Sequence, residues 1–487
     1  MNTINAEIVL VLCPSWDVKM PPLGIASLGC YLRKQNISYQ LIDLNIALFC
    51  AARAEEKRLW HPSKLFCWMD TDYFDKTLLP LFQKQIERWA ERLAMSTSVC
   101  IGFSVFRSNL QFSIKLAQAI KQVAPDKTIV FGGHACCIEG ERNAILKDCV
   151  DIIVRGEGEE VLTDIVQALK EETDITTLSC YYTRHEPSCV ELSQERPLSD
   201  LDILPFPDFS EFDLAKYEGR RLPLLMSRGC LLRCTFCNDW VVWPHYRSKS
   251  GDRVFEEVQF LSKKYGITDF QFVDLAVNNN EEELRFFCDH IQKSGMNISW
   301  DANFIVRYPQ DPQLFQKIKA AGCYCLRFGL ESGSDSILKK MGKPLTTAKA
   351  ERVLRSSFEA GLENHINIIT GFPGETEKEL QETVSFIKKM RPCITRVANI
   401  HPCYITPESI LEKDPARYNI ILPEKNFALE WYDETGNTYA ERKRRAEYLR
   451  KVTIELGIAF EEDTGLILLE DALDEEKSNK ISRNKRG

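Results

Sequence analysis

No stretch of the 487 residues approaches the ~18 consecutive apolar positions that a membrane-spanning helix needs. Basic residues are not in excess. Lys and Arg number 62 against 70 Asp and Glu, a net charge of −8, which argues against a nucleic-acid binder. The opening residues, MNTINAEIVLVLC, lack the basic region and small-residue cleavage site of an export signal. A cytoplasmic location is expected, and with it reduced thiols. The 18 Cys, several inside apolar runs (Cys100, Cys136, Cys137, Cys325), read as core thiols rather than a disulfide framework. On this reading Cys325→Ala costs only core packing. At 44% apolar and 27% charged, the composition is that of a globular protein, long enough for two or three domains.

What is present is concentrated in Met226-Ser-Arg-Gly-Cys-Leu-Leu-Arg-Cys-Thr-Phe-Cys-Asn238. Cys230, Cys234 and Cys237 are spaced C-x3-C-x2-C, with Phe236 just before the last. Iron–sulfur clusters are held by Cys thiolates, and a cubane normally takes four. Three thiolates on one loop leave one iron open to a small molecule, and an open coordination position separates a reactive metal centre from a structural one. A zinc site is the alternative, with His245 and Cys189 as the nearest further ligands. The loop follows the apolar run Leu222–Met226, a buried strand bounded by Gly229. The thiols therefore sit at a strand end, where α/β folds carry chemistry.

Residues 1–170 alternate strand and helix signals. Strands are expected at Ile8–Cys13, Tyr39–Asp43, Val99–Ser104, Thr128–Gly132 and Val150–Val154, with helices at Gly24–Lys34 and near 73–95 and 108–123. This is a doubly wound, Rossmann-like parallel sheet, whose ligands bind beyond the carboxyl ends of the strands. Candidate ligand contacts there are Ser104, Gly132, Gly133, Gly156 and Glu157. Residues 171–220 read as an extended connector around Leu201-Asp-Ile-Leu-Pro-Phe-Pro-Asp208.

From 221 to about 405 strand and helix repeat six times, with strands at Leu222–Met226, Phe270–Val273, Ile298–Ala302, Cys325–Gly329, Asn364–Thr370 and Thr395–His401. Asp274 closes the second, Asn303 and Arg307 follow the third, Glu331 and Ser332 the fourth, and Gly371-Phe-Pro373-Gly the fifth. Residues 406–487 read as a mostly helical region, with a lid or loop at Glu408–Leu422. The helix Tyr439–Leu456 is expected to carry its charges on a solvated face, and a disordered tail follows from Asp474.

These motifs resemble the radical S-adenosylmethionine (SAM) superfamily, in the branch with an N-terminal cobalamin-binding domain (class B radical SAM methyltransferase-like). The resemblance rests on the Cys triad, on FGLESGSDSILKKMGK, on PPLGIASLGCYL, on Gly132-Gly133 and on VDIIVRGEGEEVL. It implies a partial (β/α)6 barrel after the Rossmann-like domain. It also implies a [4Fe–4S] cluster on Cys230, Cys234 and Cys237, S-adenosyl-L-methionine on the open iron, and cobalamin on the first domain. Phe236, Asp274, Asn303, Arg307, Glu331, Ser332, Gly371 and Pro373 are then contacts to SAM or its surroundings. No catalytic residue beyond the cluster ligands is implied.

The D-x-H-x-x-G motif that supplies a lower cobalt ligand is absent. The loop Pro14-Ser-Trp-Asp-Val-Lys-Met20 holds no His, so no His from this loop is implied as that ligand. The implied partners are an external electron donor such as flavodoxin or ferredoxin and a small-molecule, lipid or peptide substrate. The implied reaction is methyl transfer to an unactivated carbon. Rearrangement, cyclisation or ring contraction on the same scaffold is the alternative. Methylthio transfer and a non-catalytic cluster protein stand further back.

Overall fold

The computed structural model describes residues 4–145, 149–173, 181–183, 197–307, 311–423 and 427–461, with the backbone alone at 181–183 and 427. The chain forms two compact units, Met1–Ser199 with Ile203–Arg220, and Asp200–Asp202 with Arg221–Thr464.

The first unit is built on six strands: β1 (Ile8–Leu12), β2 (Tyr39–Asp43), β3 (Cys100–Ser104), β4 (Thr128–Gly132), β5 (Ile152–Val154) and β6 (Tyr181–Thr183). Their order is 2-1-3-4-5-6, parallel except for β6. All five residues of β1, Ile-Val-Leu-Val-Leu, are buried, as a central strand covered on both faces requires. The strand order reverses between β1 and β3, which puts the crevice of the sheet at their carboxyl ends. Two features depart from the sequence reading. The helical stretch near 73–95 is broken into Thr71–Tyr73, a π-turn at Phe74–Leu78 and Leu79–Ala94. Strand β6 lies in what reads as connector.

The second unit begins with β7 (Leu222–Leu224) and the antiparallel pair β8 (Ser227–Arg228) and β9 (Arg247–Ser248). Then come β10 (Asp269–Phe272), β11 (Ser299–Phe304), β12 (Cys323–Glu331), β13 (Glu363–Thr370) and β14 (Arg396–Pro402). A second antiparallel pair, β15 (Ile420–Ile421) and β16 (Tyr432–Asp433), precedes β17 (Ala459–Phe460). The main sheet runs 7-10-11-12-13-14-17, parallel throughout and in chain order, which is the connectivity of a β/α barrel rather than of a doubly wound sheet.

Helices between the strands start and stop where the sequence signals it. Ser250 and Asn280 accept the N3 amides of Gly251–Tyr265 and Glu281–Ser294, and Gly266 and Gly295 close those helices in left-handed conformation. The edge strand β17 escapes the sequence pattern because it has only two residues.

The helix Tyr439–Glu455 corrects another expectation. Its charges do not all face solvent: Arg442 is 0% exposed and Arg445 4%. The Arg442 guanidinium donates to the carbonyls of Trp431 (2.9 Å) and Asn437 (2.6 Å) and to that of Leu429, and it lies 3.8 Å from the Trp431 ring centroid. Three carbonyls without strand partners need such a fork of donors.

Candidate metal centre

The triad loop is held from both sides. Asp274, 1% exposed, accepts from the Met226 amide at 3.0 Å and from the Ser227 amide and hydroxyl at 2.6 Å each. Burial pushes its carboxyl up to about 6, and these donors oppose the rise. Asn279 accepts from the Leu231 amide at 3.3 Å. Gly229 turns the chain at φ +88°, and a Cβ there would stand 2.9 Å from the His245 carbonyl oxygen. From the other side, the Thr235 amide donates to Met341 and the Thr235 carbonyl accepts from Leu411, both at 3.0 Å. Phe236 packs against an apolar cluster that includes Met341, Phe372, Leu411 and Trp431. Trp431 is fully buried, with its indole N–H on the Cys403 carbonyl, and so belongs to the core.

The thiols are half-buried and reduced. Burial pushes Cys234 up to about 11, with Lys343 pulling it back, and lifts Cys237 further, assisted by Asp239. Thiols so disinclined to ionise become ligands only when a metal displaces their protons. Among the described residues, the group of metal-ligating side chains whose donor atoms lie within 4.8 Å of one another is Cys325, His365 and Glu461, not the triad. The wider spacing suits a cluster, whose thiolates bind different irons, better than one zinc ion.

Asn303 lies within β11, not after it, and its amide donates to the Asp274 carbonyl at 3.0 Å. Glu331 ends β12, where the register with β13 shifts, and it adopts φ +67°, a conformation that non-glycine residues seldom take. The Lys343 ammonium reaches Glu331 Oε1 at 3.2 Å and the Gly329 carbonyl at 2.5 Å. Lys343 was missed by sequence reasoning, although it closes the FGLESGSDSILKKMGK segment. Ser332 is fully buried, and its hydroxyl accepts from the Ser334 amide at 3.1 Å, so it shapes the turn.

Gly371 is left-handed at φ +66° and packs on Arg442 and Asn437. Pro373 follows in the same turn, which Asp433 ties down by accepting from the Gly374 amide at 2.9 Å. Arg307 is half-buried after β11, near enough to influence the Tyr246 phenol.

In the first unit, Ser104 and Gly132 are register partners at the ends of β3 and β4. Gly133 turns at φ +109°, and a Cβ there would stand 2.9 Å from the Val105 carbonyl oxygen. Gly156 donates its amide to Cys137 Sγ at 3.4 Å, and Glu157 accepts from the Leu198 amide at 3.2 Å. Sequence reasoning missed the stacking of the rings here. Trp16 stacks on Phe106 at 4.0 Å between centroids, and Phe106 on His134 at 6.4 Å. Three loops that end different strands thus line up half-buried flat faces at the crevice.

Residues 224–387 match the Radical SAM superfamily. An uncharacterized methyltransferase of Pyrococcus horikoshii is 29% identical over 296 residues, covering 60% of this chain and 64% of its own length. The anaerobic magnesium-protoporphyrin IX monomethyl ester cyclase of Rubrivivax gelatinosus is 24% identical, covering 69% and 61%. The matches thus span a little over three fifths of these relatives' own length. Among solved structures, the radical S-adenosylmethionine methyltransferase TsrM of Kitasatospora setae, with cobalamin and [4Fe-4S] cluster bound, superposes with a TM-score of 0.62 at 16% identity, covering 90% of this chain and 81% of its own. The cobalamin-dependent S-adenosylmethionine radical enzyme OxsB gives 0.61 at 17%, covering 94% and 62%. The fold is that of these proteins, and residues 224–387, about a third of the chain, carry the likeness to the Radical SAM superfamily.

Proposed function

We propose that this enzyme is a cobalamin-dependent radical SAM methyltransferase acting on an unactivated carbon. The observation that carries the reading is the triad loop: three reduced thiols, spaced more widely than one ion requires, beside the Glu331–Lys343 pair at a strand end. That donor set fits a [4Fe–4S] cluster with one open iron. The stacked rings of Trp16, Phe106 and His134 and the side-chain-free turn at Gly133 fit a flat macrocycle on the first unit. When bound, the cluster supplies the electron that cleaves SAM and the corrinoid supplies the methyl group.

The chain's own residues bind, orient and shield. Asp274 and Asn279 fix the loop that presents the thiols. Phe236 covers one side of it with apolar surface. Glu331 offers a carboxylate to the SAM amino group, and Lys343 an ammonium to its carboxylate. Gly371 and Pro373 form the turn that this reading gives to the adenine. An external one-electron donor and a small-molecule substrate complete the system.

A second reading, cyclisation without methyl transfer, is favoured by the likeness to magnesium-protoporphyrin ester cyclases of three organisms, at 24–26% identity. Product analysis separates the two. Methyl transfer consumes two SAM per turnover and releases one S-adenosylhomocysteine and one 5′-deoxyadenosine. Sustained turnover that gives 5′-deoxyadenosine without S-adenosylhomocysteine would overturn methyl transfer and favour the second reading.

A further inference from the structure

At the amino ends of the same strands lies a second cluster of metal-ligating groups. Cys325 is the third residue of β12 and Glu331 its last, so the two are separated by about 20 Å of extended chain. The Cys325 sulfur, a His365 ring nitrogen and a Glu461 carboxylate oxygen lie within 4.8 Å of one another, with Cys325 and His365 buried. They come from β12, from β13 and from the residue after β17. The sequence reads Cys325 as a plain core thiol, but these neighbours are not those of an apolar core. Burial raises its thiol, Arg327 opposes that rise, and Asp301, Glu461 and Glu363 act on it as well.

The imidazole is oriented. Its Nε2 meets Glu363 Oε2 at 3.2 Å, while Nδ1 faces Glu461. A carboxylate on one ring nitrogen is the usual partner of a histidine whose other nitrogen binds a metal. The charges around the cluster are uneven. Arg221 and Arg327 both pair with Asp301, Arg221 also approaches Asp269 at 3.5 Å, and Arg327 pairs with Glu461 at 2.8 Å. Arg396, the register partner of His365, donates to the Phe460 carbonyl at 3.3 Å. Three guanidiniums thus face four carboxylates, counting Glu363. A dication on a Cys325 thiolate supplies the missing positive charge.

We propose that Cys325, His365 and Glu461 bind one zinc ion. A thiolate, an imidazole and a carboxylate are zinc's ordinary ligands, with water in the fourth position. On binding, the Cys325 thiol proton passes to solvent and the sulfur takes its place in the coordination shell. The ion ties the end of β17, whose two residues pair with β14 alone among the described strands, to β12 and β13. This assignment does not depend on the reading of the triad.

The test uses the full-length, cluster-bearing protein from zinc-supplemented growth. Zinc and iron are counted by plasma mass spectrometry, and zinc is located in crystals by anomalous scattering on either side of its absorption edge. The expected result is about one zinc per chain, with the anomalous peak between Cys325 and His365. Cys325→Ser and His365→Gln should each lower zinc at least about fivefold, with iron unchanged. Absence of the peak from the wild-type protein, or variants that retain full zinc, would overturn the site. The scattering measurement needs no variant to fold.

Discussion

Cys230, Cys234 and Cys237 differ from the other cysteines in what they lack: most of the rest are buried among apolar side chains, whereas these three are half-buried on one loop. Changing any of the three to Ala should leave a folded chain with little iron and without the broad absorbance near ~400 nm of an iron–sulfur cluster. Iron and absorbance retained in any one variant would contradict the assignment.

Glu375 gives a second test at this scale. It is 1% exposed, its carboxylate accepts from the Gly371 amide at 2.5 Å, and burial pushes its pKa up to about 7 against that bond and Arg445. A carboxyl whose folded pKa stands above its unfolded value of about 4.3 binds its proton more tightly when folded. The resulting stabilisation is complete below the unfolded value and is lost as pH rises through about 7. Asp43 and Asp274, each pushed to about 6 by burial, act in the same direction. Tm should therefore fall between pH 5 and pH 8. Glu375→Gln should flatten the slope by on the order of 1–3 kcal/mol across that range. A slope unchanged in the variant would contradict this.

The triad could be named as a candidate site from the sequence because ligand spacing on one loop is a local property. Lys343 and the Trp16–Phe106–His134 stack were not, because their partners come from other elements, which only the fold brings near.

At the scale of elements, strands with long apolar runs and helices with capping signals read correctly from the sequence, as at Gly251–Tyr265. The two-residue strand β17 and the broken helix at 71–94 did not, because tertiary packing, not periodicity, decides them. The helix Tyr439–Glu455 carries the most instructive difference. Its sequence, rich in Glu, Lys and Arg, reads as solvated, yet Arg442 is inside, serving three backbone carbonyls and covering Trp431. Arg442→Ala should destabilise the second unit by about 3–5 kcal/mol, since it strands buried carbonyls and opens a cavity beside the indole. Arg442→Lys should recover only part of the loss, because an ammonium cannot fork to three acceptors in a plane. Urea unfolding followed by tryptophan fluorescence measures both, and a loss under about 1 kcal/mol for the alanine variant would contradict the role given to Arg442.

At the scale of the whole molecule, the strand orders distinguish two architectures: 2-1-3-4-5-6, with a switch point, in the first unit, and sequential order in the second. Both were legible as alternating strand and helix signals. The division of the chain was less so. Residues 203–220 fold with the first unit and residues 406–461 with the second, because contacts, not prolines, set the boundary.

The central claim is that the triad holds a cluster able to cleave SAM. It is tested most directly by incubating the anaerobically reconstituted protein with SAM and a strong reductant and measuring 5′-deoxyadenosine by mass spectrometry. The account predicts 5′-deoxyadenosine from a wild-type chain carrying about four irons, and none from Cys234→Ala. A wild-type chain that carries its iron and yields no 5′-deoxyadenosine would contradict the account.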